Sequence, residues 1–170
     1  MMNRKERFLS ILSKVKREGI DELIEWLENS SFFIDPASTK YHDAFEGGLL
    51  KHSLEVYDNY CKLTGTGSDD ETAIIACLLH DVCKIGTYQK IDTGYTYKQT
   101  TLPFGHGDKS VLMIREFIQL TVEEILMIRW HMGAYESKEC WNDLGQAQSM
   151  YKSVLYIHFA DMLSSKGHNL

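Results

Sequence analysis

The chain has little of what marks a disordered, exported or membrane-bound protein. Two prolines in 170 residues, with 44% hydrophobic and 25% charged side chains, leave no proline-rich or low-complexity tract, so a compact fold is expected. No stretch approaches the roughly 18 uninterrupted apolar residues that a membrane-spanning helix needs. The opening MMNRKERFLSILSKVKREG is too charged for a signal peptide, which makes a cytoplasmic location the expectation. Cysteine is sparse and unpatterned: Cys61, Cys77, Cys83 and Cys140 form no C-x-x-C pair, and reduced thiols are expected. Basic charge is short as well. A net charge of −6 lacks the positive footprint of a protein that grips long duplex nucleic acid. It leaves room for a small anionic substrate, because carboxylates that hold a cation count as negative while the ion makes the local field positive.

What is present is mostly helical periodicity. Phe8, Leu9, Leu12 and Val15 recur at helical spacing up to Gly19, and Ile20, Leu23, Ile24 and Leu27 repeat the pattern in a second helix. Residues 30–46 read as a loop that ends at Gly47-Gly48, where LLKHSLEVYDNYCKL starts a third helix with His52 off the centre of its apolar stripe. SDDE at 68–71 has the form of a capping box with Ser68 as N-cap, opening ETAIIACLLHDVCK, which is apolar on nearly all sides from Ala73 to Leu79 and should be central and buried. TYQKI-DTG-YTYKQT predicts a β-hairpin near residues 87–99. LPFGHGDKS reads as turn-rich and leads into the helix VLMIREFIQL. TVEE at 121–124 caps ILMIRWHMG, Glu136 to Gly145 reads as a polar loop, and AQSMYKSVLYIHFADMLSSK as one closing helix. The expectation is an all-α domain of six or seven helices with one hairpin.

The chemistry gathers at histidines placed near helix ends or stripe edges in separate elements: His52, His80, His106 and His131, with Asp81 beside the second and Asp161 on the last helix. A site inside a helical domain is assembled in this way, one or two ligands per helix. An Asp ending a buried helix is costly to desolvate unless it meets a cation or hydrogen-bond donors.

The order of GGLLKHSLEV, LLHDVCK, FGHGDKSV, IRWHMG and IHFADMLS resembles the HD superfamily of metal-dependent phosphohydrolases, from about Gly47 to Ser165. The resemblance implies a single domain, with residues 1–46 as N-terminal helices and loop and residues 47–165 as the metal-binding core. It implies that His52, His80, Asp81 and Asp161 bind a metal. His106 and His131 occupy the positions of two further ligands in the two-metal subclass, with Asp81 bridging. Cyclic-dinucleotide phosphodiesterases of the HD-GYP group carry His-His where His131-Met132 stands here, and the Gly-Tyr-Pro signature is missing, so that substrate is not implied. The segment GGLLKHSLEV is also similar to the start of HD domains in certain exoribonucleases and conjugation proteins.

Mixed imidazole and carboxylate ligands suit one or two ions of Mn, Fe, Co, Ni or Zn better than Mg. Two such ions about 3.5–4 Å apart clamp a phosphate and activate a water to hydroxide, with Asp81 as the central catalytic residue. Lys84, three residues after Asp81, reaches the same face if the helix continues, and is expected to assist catalysis and hold a phosphate oxygen; its other reading is a solvated C-terminal cation. Arg129 is a weaker phosphate candidate, roughly opposite His131 on its helix. His42 and His168 read as solvated, and His158 as a core histidine or an orienter of Asp161. Tyr88, Tyr95 and Tyr97 are the aromatic candidates near a pocket mouth. The function expected is hydrolysis of a phosphomonoester or phosphodiester of a nucleotide or short oligonucleotide; a non-catalytic nucleotide-binding or regulatory module is the alternative.

Overall fold

The computed structural model describes residues 2–98 and 103–170. Among these residues, eight α-helices run α1 (Arg4–Leu12), α2 (Ile20–Asn29), α3 (Gly48–Thr64), α4 (Glu71–Leu79), α5 (His106–Arg115), α6 (Val122–Trp130), α7 (Trp141–Met150) and α8 (Lys152–Ser165). Between α4 and α5, β1 (Tyr88–Ile91) and β2 (Gly94–Tyr97) pair antiparallel, Tyr88 opposite Tyr97 and Ile91 opposite Gly94. The expected hairpin is therefore present; Gln99, its last expected residue, and Leu102, the start of the turn-rich segment, lie outside the described residues. No helix among the described residues is long and apolar enough to cross a membrane.

The all-apolar sequence of α4 has the consequence it predicts. Every residue from Ala73 to Leu79 is 1% exposed or less. Helix α3 packs along α8, α4 lies against α1, α3 and α6, and α6 also meets α5 and α8. One cluster of buried apolar side chains runs through these helices, from Phe8 to Ala160.

A buried carboxylate ties the N-terminal segment to this core. Glu124 is fully buried and takes two hydrogen bonds from the Arg17 guanidinium, at 2.7 and 2.6 Å, with further donation from Thr72 and from the backbone of Thr121. Removing one partner of such a pair strands the other in a poorly solvated place. Glu124→Ala is expected to cost about 3 kcal/mol, read as a lower urea midpoint at unchanged m-value; a shift of a few tenths would show that Arg17 finds water instead.

Four sequence expectations are corrected. Helix α1 ends at Leu12 with Ser13 as C-cap, so Val15 is buried from a turn rather than from the helix. The N-cap of α4 is Asp70, which accepts from the Ala73 N–H; Glu71 turns instead to Arg17 and the Lys16 backbone. The polar stretch from Glu136 to Gly145 is mostly helical: a 3₁₀ turn at Lys138–Cys140 runs into α7, which buries only Leu144 and Ala147 and so leaves almost no apolar stripe in the sequence. The closing helix is two helices, because Tyr151 is extended, at φ −138° and ψ 116°, between α7 and α8.

Candidate metal centre

Three imidazoles reach one place from three helices. His52 lies in the second turn of α3, while His80 and His131 are the C-caps of α4 and α6, and each is 1% exposed or less. A helix end leaves carbonyls without an intrahelical donor, and the two C-cap rings supply one. His80 Nδ1 donates to the Cys77 carbonyl at 2.9 Å and His131 Nδ1 to the Ile128 carbonyl at 2.7 Å. His52 Nδ1 meets the Ser164 hydroxyl at 3.0 Å, whose own proton goes to Glu55 at 2.9 Å. A carbonyl only accepts, and the Ser164 proton is already committed, so the ring protons sit on Nδ1 and the Nε2 lone pairs face inward.

His52 Nε2 and His80 Nε2 stand 3.3 Å apart. Two lone pairs at that separation repel unless a positive charge lies between them. Two nitrogens bound to one tetrahedral ion at about 2.0–2.1 Å are about 3.3 Å apart, so the spacing fits. Around the rings, Asp81 Oδ2 lies 3.4 Å from His80 Nε2 and 3.6 Å from His52 Nε2, and Asp161 Oδ1 lies 3.1 Å from His52 Nε2. Asp81 Oδ1 faces His131 Nε2 at 3.6 Å. Both of those atoms are buried without a hydrogen-bond partner, a state costing about 1–3 kcal/mol per group. Orphaned acceptors converging on a cluster of lone pairs are what a divalent cation satisfies.

The electrostatics point the same way. Burial works to raise the Asp81 carboxyl, but the Lys84 ammonium, followed by His80, holds it well below the usual carboxylate range. Asp161, also opposed by burial, is held low by the His52 ring 3.1 Å away and by the neighbouring His80 and His131. Burial works to lower His80, yet Asp81 outweighs it and leaves the ring above its ordinary value. Burial, with His80 alongside, pushes His131 down to about 4. Without a metal, the centre thus keeps both carboxylates ionised, and their charge draws positive charge toward the ring nitrogens that face them.

Lys84 arrives by a different backbone than a continued helix. Helix α4 stops at Leu79, and Val82–Lys84 form a 3₁₀ turn, which nearly eclipses residues three apart. The buried ammonium therefore reaches Asp81 Oδ2, at 2.6 Å.

His106 stands at the edge of the centre. It opens α5 and is exposed, so the turn-rich reading of GHGDKS is corrected: the helix begins at the histidine. Helix α5 comes this close to α6 because residue 107 is glycine; a Cβ there would collide with the Arg129 backbone. Ligand atoms of Asp81, Cys83 and His106 lie within 4.8 Å of one another, as do those of His52, His80 and Asp81, so Asp81 belongs to both groups. Burial pushes the Cys83 thiol up to about 12.

Arg129 is engaged elsewhere. Its Nε pairs with Asp108 at 2.6 Å and its Nη1 with Glu136 at 2.8 Å, while the guanidinium lies over the Trp130 ring. His158 turns its hydrogen bond elsewhere than Asp161: its Nδ1 donates to the His131 carbonyl at 2.8 Å, and its ring fills the space over Gly133, where φ is +53° and a side chain would collide with it.

Two groups at the centre are missing from the sequence reading. His42, expected to be solvated, has its ring centroid 4.7 Å from that of His52 and a buried, unpartnered Nδ1. Burial, then the neighbouring His52 and Lys84, lowers it to about 4. Its loop is clamped by Ser38, whose hydroxyl accepts from the Tyr41 and His42 amides and donates to the His42 carbonyl. Cys83 is the other, and its closeness to Asp81 in sequence was the available signal. A family model described as HD domain matches residues 49–166. No curated protein and no solved structure matches the chain.

Proposed function

Because the chain belongs to the HD domain family, whose members are generally metal-dependent phosphohydrolases, we propose that it hydrolyses a phosphomonoester or phosphodiester of a nucleotide or short oligonucleotide. The observation that carries this reading is the convergence of three inward Nε2 lone pairs on Asp81, with Asp81 Oδ1 and His131 Nε2 buried and unpartnered. His52, His80, Asp81 and Asp161 would hold one divalent transition ion, and Asp81, His106 and His131 a second. Ions of the Mn, Fe, Co, Ni or Zn type would supply Lewis acidity toward phosphate and lower the pKa of a water toward neutrality.

The chain's own side chains do the rest. Nδ1 bonds to Cys77, Ile128 and Ser164 hold the rings in one tautomer and orientation, so the donor set needs little reorganisation. Lys84 is the one buried lysine among the described residues, and Asp81 keeps it charged against the burial that opposes its charge. That ammonium is the group we assign to a phosphate oxygen. Arg129, neutralised by two carboxylates, contributes more weakly to binding the anion.

The test is elemental analysis of the purified protein, followed by a panel of phosphate mono- and diesters with Mn²⁺ added. Turnover that a chelator abolishes and metal restores is the expected result. Tight nucleotide binding with no turnover across metals and esters would instead make the chain a regulatory module.

A further inference from the structure

We infer that Cys83 is a thiolate ligand of the second cation, completing with Asp81 and His106 a sulfur-containing site beside the histidine-carboxylate one; this rests on the metal-dependent reading above. Cys83 Sγ and His106 Nδ1 stand 3.5 Å apart. On a tetrahedral zinc ion with Zn–S of about 2.3 Å and Zn–N of about 2.0–2.1 Å, sulfur and nitrogen are separated by about 3.6 Å. The pair thus already has the span of one edge of such a site. The third corner, Asp81, is 2% exposed and carries a buried oxygen without a partner.

The local backbone holds this arrangement. Cys83 lies in the 3₁₀ turn that also carries Lys84, and its amide donates to the Ser110 hydroxyl at 3.2 Å, one turn along α5 from His106. Gly107 lets the same end of α5 rest on α6. Three elements are therefore fixed relative to one another before any ion arrives. The chemistry balances simply: on binding, the Cys83 S–H bond breaks, its proton passes to solvent, and the sulfur electron pair forms the metal–sulfur bond. A thiolate in the set favours zinc, cobalt or ferrous iron over manganese and magnesium. The two ions would then differ in kind, the buried one held by nitrogen and oxygen and the outer one also by sulfur.

Cobalt reads this directly. Metal-stripped full-length protein titrated with Co²⁺ is expected to bind two ions and to develop a near-ultraviolet sulfur-to-cobalt charge-transfer band, which is lost in Cys83→Ser and kept in Cys61→Ser and Cys140→Ser. X-ray absorption of the zinc-loaded wild type needs no substitution and should show one sulfur at about 2.3 Å. A band that survives Cys83→Ser, or two bound ions with only nitrogen and oxygen neighbours, overturns the assignment. Chelator-sensitive ester turnover alongside sulfur-free ions would remove Cys83 while leaving the hydrolase reading intact. Absence of both bound cobalt and turnover would remove both.

Discussion

Asp81→Asn is expected to lower phosphoester turnover by at least about 10³-fold, since under the proposed metal-dependent reading several kcal/mol of transition-state stabilisation would depend on ions that this carboxylate helps to hold. Metal content should fall with it. Asparagine keeps the shape but loses the charge that both ligand groups share. The structure adds a second expectation, about folding. Lys84 is buried with its ammonium 2.6 Å from Asp81 Oδ2, so the single substitution strands a charge in the interior. Breaking such a pair costs about 3–5 kcal/mol, whereas replacing both members is close to neutral. In metal-free protein, Asp81→Asn should therefore unfold at lower urea than wild type, and adding Lys84→Met should recover most of the loss while activity stays absent. An Asp81→Asn protein that is metal-replete and active would refute the assignment of the centre.

Acidification should destabilise the metal-free protein before its carboxylates titrate. His131 is lowered to about 4 in the fold, against about 6.5 in an unfolded chain. Between those values the unfolded chain binds a proton that the native state refuses, so stability rises with pH across the window and is lost as pH falls through it. The span corresponds to something on the order of 3 kcal/mol. His42, lowered to about 4, acts in the same direction. His80 is raised, so its contribution is complete below about 6.5 and lost only above its folded value, outside the window. Asp81 and Asp161 are held low, and the stability they add is present above about 4 and lost below it. Urea midpoints of chelator-treated protein should fall between about pH 6.5 and 4.5, and His131→Asn should flatten that slope. A wild-type profile flat over the same range would contradict the burial argument.

How much of this was legible depended on how much apolar surface each element uses. Helix α4 uses all of its surface, and its composition gave it away. Helix α7 uses almost none, with Leu144 and Ala147 as its only buried residues, so a real helix looked like a loop. The break at Tyr151 involves neither proline nor glycine, so the local pattern does not record it. At the centre, the family-like spacing led to His52, His80, Asp81, His131 and Asp161, all of which the fold brings within 3.6 Å of another member of the set. His106 stands apart, exposed and joined to them through Asp81 and Cys83. His42 was hidden because its loop has no period; only Ser38's hydrogen bonds make it an ordered wall beside His52.

Helix α4 also acts as a ruler. Its N-cap Asp70 lies near the Arg17 junction, its far end carries His80 and Asp81, and no residue between Ala73 and Leu79 has a side free of neighbours. At about 1.5 Å per residue its nine residues span about 14 Å. A strut packed on every side can lend only its ends to chemistry. Its register is correspondingly unforgiving: one residue inserted or removed would turn the His-Asp pair by about 100° and drive a charged carboxylate into the hydrocarbon layer. The length of an apparently inert apolar helix is thus itself a functional dimension of the molecule.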